Sequence, residues 1–245
     1  MSHISEQDTV GELIPSSRWG ENVSVDSELV KGNLLEIKNK IAPCKPKIIG
    51  VTKYFGLDAV VNGYKAGLRD FGESRAQDAI EKIKSLPEEI RKNSTFHFIG
   101  HLQSNKTEKV IEYFDCIHSI DSLKIATAVS KAACHLNKRE KVLLQVNNAG
   151  EEQKSGYTKE QLREDFSQII KLESIDVIGL MNMAPLGAEK EELHSLFGDL
   201  RKFRDELQYE FGVDLKELSM GMSNDYEIAV QEGSTIIRIG RKLFK

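Results

Sequence analysis

Eight short runs with β character recur along this chain, each followed by a stretch patterned as helix. That alternation constrains the fold more than any other feature. The runs are Lys47–Thr52, Asp70–Gly72, Thr95–Ile99, Cys116–Ile120, Val142–Asn147, Asp176–Met181, Leu218–Gly221 and Thr235–Ile239. Several are continuously apolar, such as Ile48-Ile49-Gly50-Val51 and Val142-Leu143-Leu144, which suits strands of a parallel sheet buried on both faces. Between them lie helical stripes: Leu123, Ala126, Val129, Ala133 and Leu136 on one face, and Leu193, Leu196, Phe197, Leu200, Phe203 and Leu207 on another, ending near Gly212. Eight strand–helix units in about 220 residues is the count of a (β/α)8 TIM barrel, an α/β fold. The second and seventh runs are the shortest. A doubly wound open sheet is the alternative, but its Gly-rich first turn is missing.

Ahead of the first strand, Val30, Leu34, Ile37 and Ile41 build one apolar helical stripe, with Asp26 or Ser27 as N-cap and Pro43 closing it. Residues 1–24 are polar and aperiodic and are expected to form a disordered extension. No linker divides residues 25–245, so the 245 residues should hold one barrel domain.

Composition removes several function classes. A formal net charge of −4 provides no general field for nucleic acid or an anionic membrane. No apolar run approaches the ~20 residues of a membrane span. The N-terminus lacks the basic-then-apolar pattern of a secretory signal. Cys44, Cys116 and Cys134 are widely spaced with no CxxC, as expected of free thiols in a reducing compartment. A cytoplasmic protein is the expectation.

Common catalytic motifs fail. His97 and His101 are four apart, but Phe98 stands where a zincin helix needs Glu, and no metal site is expected. Neither a P-loop nor a G-x-S-x-G elbow occurs. Lys53 is different. It follows Ile48-Ile49-Gly50-Val51-Thr52, and the active face of a barrel lies at the carboxyl ends of its strands. A lysine desolvated there can attack a carbonyl with its neutral amine, although a lysine snorkelling from a strand end fits the same position. In the last third, Leu218 to Asp225 (LSMGMSND) precedes a helix over Tyr226–Gln231, which Ser223 or Asn224 could cap. Loops after strands seven and eight form the usual phosphate site of such barrels. Gly221 and Gly240 would let backbone amides approach an anion, with hydroxyls from Ser219 and Ser223. Ordinary capping and a turn glycine explain the same residues.

Taken together, these segments resemble the YggS/PROSC family of pyridoxal 5′-phosphate (PLP) homeostasis proteins over roughly residues 28–244. Matching stretches include Val51-Thr52-Lys53, Phe71-Gly72-Glu73, His97 to Lys106 (HFIGHLQSNK), His118-Ser119-Ile120-Asp121, Lys154-Ser155-Gly156, Leu218 to Asp225 and Arg238-Ile239-Gly240. The resemblance implies an alanine-racemase-like barrel of PLP fold type III without the racemases' additional β domain. It implies PLP as a Schiff base on Lys53, its phosphate held around Ser219, Met220, Gly221, Ser223, Ile239 and Gly240, and Arg238 facing the pyridine nitrogen. Lys154 matches a family lysine near the barrel mouth, and is read as assisting PLP exchange or as a solvated surface lysine. Ser74 stands where the family usually has Asn, so no contact is carried over there. The function implied is a non-catalytic, monomeric protein of vitamin B6 and amino-acid balance. Partners beyond PLP would be PLP-dependent apo-enzymes or a regulatory protein. The alternative is a single-domain PLP racemase or another weak PLP enzyme. A third reading is an interaction module with PLP as structural ligand.

Overall fold

The computed structural model describes residues 24–151 and 155–245. The extension up to residue 23, and Lys154, lie outside the described residues. All eight anticipated strands are present: β1 (Lys47–Val51), β2 (Asp70–Glu73), β3 (Thr95–Phe98), β4 (Cys116–Ile120), β5 (Glu140–Gln145), β6 (Ile175–Met181), β7 (Glu217–Ser219) and β8 (Ile236–Ile239). They close into one barrel in chain order, every neighbouring pair parallel. Closure is made by β8 on β1, with Ile49 opposite Arg238 and Gly50 opposite Ile239. The seventh strand is short yet tightly seated. Gly179 of β6 lies so close that a Cβ there would stand 1.8 Å from the Glu217 carbonyl oxygen.

Helices follow the strands as their apolar stripes require. Before β1 comes α1 (Ser27–Lys40), burying Val30, Leu34 and Ile37, and Asp26 is its N-cap, its carboxylate accepting from the Leu29 N–H. After β1 and β2 come α2 (Leu57–Lys65) and α3 (Ala76–Ser85), then the short α4 (Glu88–Lys92). The outer ring continues with α5 (Thr107–Tyr113), α6 (Leu123–His135), α7 (Lys159–Ile169) and α8 (Lys190–Phe211). Helix α8 stops at Gly212, whose φ of 65° is the left-handed conformation that a glycine adopts without cost. Two short helices, α9 (Tyr226–Gln231) and α10 (Arg241–Phe244), complete the chain.

One expected detail is corrected. Neither Ser223 nor Asn224 caps α9. Asp225 occupies that position, and its side chain turns back to accept from the Met222 N–H instead of capping the helix.

The barrel lumen departs from the usual layers of branched apolar side chains. A small apolar cluster of Cys116, Leu143 and Met181 accompanies the buried polar groups His97, His118, Ser219 and Arg238. Among the described residues, no helix is long and apolar enough to cross a membrane.

Candidate cofactor site

Strand β1 ends at Val51, and the chain then turns over Thr52–Phe55, with the Phe55 N–H donating to the Thr52 carbonyl at 3.0 Å. Lys53 is partly buried in this turn at the carboxyl end of the strand. Strand alternation would send Tyr54 to the opposite face from Lys53, but the strand has already ended. The Lys53 Nζ instead sits 5.0 Å from the centre of the Tyr54 ring.

The backbone before Lys53 is clamped from β2 and α3. The Thr52 hydroxyl donates to Glu73 Oε1 at 2.7 Å. Lys82 Nζ donates to the same carboxylate oxygen at 2.7 Å and to the Thr52 carbonyl at 2.9 Å. Thr52, Glu73 and Lys82 are all buried, so an ion pair in a low-dielectric setting fixes the position of the residue preceding Lys53. Sequence reasoning noted Glu73 only within a matching motif and passed over Lys82, because a lysine on an amphipathic helix reads as solvated.

The other half of the mouth is built by β7, β8 and their loops. Met220 and Ile239 are buried, and the Met220 N–H donates to the Ile236 carbonyl at 3.1 Å. Gly221 has φ of 92°, and a Cβ there would lie 2.6 Å from the Ala229 Cβ. Both the conformation and the close approach of α9 therefore require glycine. Its carbonyl accepts from the Arg238 N–H at 3.0 Å, tying the turn after β7 to β8. Ser223 is partly exposed. At Gly240, a Cβ would meet only the Val51 carbonyl oxygen at 3.6 Å and Val51 Cβ at 3.7 Å, both ordinary van der Waals contacts.

Arg238 is 4% exposed. Its guanidinium donates to the Ser219 carbonyl and to Ser219 Oγ, both at 2.7 Å, and to the Asn182 carbonyl at 2.8 Å. Burial lowers its pKa to about 10, opposed by the charge of Asp225. Ser219 is thus placed differently from the expectation of a hydroxyl free for phosphate. It is fully buried, with its Oγ between Arg238 and His118 Nδ1, the latter 2.9 Å away.

His97 and His101 diverge. His97 points into the lumen, whereas His101 lies beyond β3 with a 59% exposed side chain, 3.2 Å from Asp121. The ligand atoms of His97, Cys116 and His118 lie within 4.8 Å of one another. This cluster escaped sequence reading, although Cys116 and His118 occupy alternate positions of one strand, the signal for a shared face. Beyond β5, the Ser155 carbonyl accepts from Gln145 Nε2 at 2.6 Å. A cavity of about 250 Å³ beyond β3 is lined by Ser74, His101, Gln103 and Lys106. A larger one, about 550 Å³, opens at the opposite end of the barrel beside Lys47 and Asp70.

A closed eight-stranded parallel barrel with a lysine in the turn after its first strand defines a class. The alanine racemase N-terminal domain family matches residues 25–245. An alanine racemase of Clostridium difficile shares the fold at TM-score 0.72 and 19% identity, over 95% of this chain and 59% of that one. Within this class, the chain belongs to the pyridoxal phosphate homeostasis protein family. The Synechocystis sp. protein of that name is 41% identical over 202 residues, 82% of this chain and 92% of the relative. The Aquifex aeolicus one is 39% identical over 198 residues, 81% of this chain and 86% of the relative. PipY of Synechococcus elongatus, solved with PLP bound, aligns at TM-score 0.80 and 38% identity over 88% of this chain and 100% of that one.

Proposed function

We propose that this protein binds PLP reversibly as a Schiff base on Lys53 and acts as a carrier or buffer in vitamin B6 balance. The observation that carries this reading is the clamped backbone at Lys53, which sets one amine at the active end of the barrel through the buried Glu73–Lys82 pair. The PLP-bound PipY structure and the naming of the relatives support it.

The donor set suits PLP. Ser223, the turn at Met220 and Gly221, and the backbone at Ile239 and Gly240 would take the phosphate. Ser219 would serve through Arg238 instead of touching phosphate. Arg238 would face the pyridine nitrogen. When bound, the cofactor supplies an electron sink whose strength depends on the protonation of that nitrogen. A guanidinium has donors only and cannot accept that nitrogen's proton as a carboxylate would, so the sink is weak and holding is favoured over turnover. Racemisation would also need a proton-transfer group on each face, and Tyr54 sits beside Lys53 itself. Exchange with PLP-dependent apo-enzymes in the cytoplasm, by a monomer, completes this reading.

Borohydride treatment of the PLP-loaded protein, followed by peptide mass analysis, should place the modification on Lys53. Lys53→Ala should lose the long-wavelength absorption. Modification elsewhere, or unchanged absorption in the variant, defeats the proposal. Chiral chromatography after incubation with L-alanine should show no inversion, and sustained turnover would replace the carrier reading with the racemase one.

A further inference from the structure

Five side chains form a continuous hydrogen-bonded line through the barrel. Arg238 on β8 meets Ser219 Oγ on β7 at 2.7 Å. Ser219 Oγ lies 2.9 Å from His118 Nδ1 on β4. His118 Nε2 lies 3.0 Å from His97 Nδ1 on β3, and His97 Nε2 lies 3.0 Å from Asp70 Oδ1 on β2. The step from β7 to β4 crosses the lumen. Asp70 begins β2 at the opposite mouth, where its side chain is 21% exposed and 3.7 Å from Lys47 Nζ.

The two ends decide how the hydrogens are arranged. A guanidinium only donates and a carboxylate only accepts. Asp70 is held ionised: burial would raise its pKa, but the hydrogen bond from His97 and the nearby Lys47 lower it overall. His97 therefore donates from Nε2, and when it carries a single proton its Nδ1 accepts. His118 must then donate from Nε2. Burial, with the charges of Arg238 and Lys47 adding to it, keeps His118 neutral, so its Nδ1 accepts the Ser219 hydroxyl hydrogen. The Ser219 oxygen is left with its lone pairs toward Arg238.

We propose that Asp70, His97 and His118 are positioning residues for Arg238. They form a one-directional relay in which a carboxylate at the far mouth fixes both imidazole tautomers, and through Ser219 the aim of the guanidinium. The link from Arg238 to a bound ring rests on the function proposed above. The relay itself does not.

The test is nitrogen NMR of ¹⁵N-histidine-labelled protein free of PLP, at about pH 8, where free imidazole is neutral. Both His97 and His118 should be protonated at Nε2 and bare at Nδ1. Asp70→Asn keeps an acceptor oxygen and should keep both tautomers. Asp70→Ala should weaken the His97 preference by roughly tenfold, the scale of one hydrogen bond to a charged group. In PLP-loaded protein, Asp70→Ala should shift the cofactor absorption band and Asp70→Asn should restore it.

A wild-type His97 protonated at both nitrogens, or His118 protonated at Nδ1, overturns the relay. So does an equivalent of transition metal copurified on His97, Cys116 and His118, or an Asp70→Ala protein with both tautomers unchanged. Should Asp70→Ala not fold, the wild type and Asp70→Asn still decide the matter. Correct tautomers with no PLP binding would leave the relay standing and defeat only the proposed function.

Discussion

Lys82 Nζ lies 2.7 Å from Glu73 Oε1 and reaches the carbonyl of Thr52, so a buried ion pair holds the backbone next to Lys53. Both side chains are almost wholly enclosed, at 2% and 4% exposure. Breaking such a pair from one side leaves a charge without compensation, which costs about 3–5 kcal/mol. Lys82→Met should therefore destabilise the protein by about 3 kcal/mol in urea unfolding and weaken PLP retention. Combining it with Glu73→Gln should recover part of the stability. Equal losses in the single and double variants would show that the pair does not act as a unit.

The two mouth glycines should separate folding from binding. Gly221→Ala must place a Cβ at 2.6 Å from the Ala229 Cβ in a left-handed backbone, and should lower stability by more than about 1 kcal/mol. Gly240→Ala meets only ordinary contacts. It should melt with the wild type but retain PLP less well. Thermal melts and dialysis of bound PLP, done in parallel, read the difference.

Cysteine reactivity should be uneven. Cys44 and Cys134 are exposed while Cys116 is buried. Burial, reinforced by Glu140, raises the Cys116 thiol far above its ordinary range, suppressing the thiolate that reacts. A colorimetric thiol reagent should titrate two groups in the native protein and the third only on unfolding. Three equally fast groups would contradict the packing of β4.

Glu140 makes stability depend on pH in an unusual direction. Burial raises its pKa from 4.5 to about 8, with Lys138 opposing and Asp115 adding to the rise. Its Oε1 has no hydrogen-bond partner among the described residues. Between those two values the folded protein keeps a proton that the unfolded chain has released, so this group's contribution falls as pH rises through that window. Glu140→Gln should remove that slope. Its advantage over wild type should grow from about pH 5 to about pH 8, reaching on the order of 4 kcal/mol, in urea melts at each pH. A constant difference would mean that Glu140 titrates alike in both states.

Local pattern alone determined the eight strands, the helix stripes, and the placing of Lys53 and the glycines at strand ends. Periodicity and turn chemistry act over a few residues, so each can be read where it stands. The cap of α9 went to Asp225 instead of Ser223 or Asn224 because its carboxylate folds back on Met222, a choice among near neighbours that composition does not rank. The first β run extends to Thr52, one residue past the end of β1, and gives no sign that the turn after it brings Tyr54 beside Lys53. Tertiary structure alone decided the lumen. Ser219 and His118 stand 101 residues apart in the chain, and Lys82 and the Thr52 carbonyl 30. Hydrogen bonds of that reach exist only once parallel strands have closed and carried their inward side chains to one axis. A serine legible as a phosphate donor thereby lies hydrogen-bonded to an arginine, and a lysine legible as solvated clamps the backbone beside Lys53.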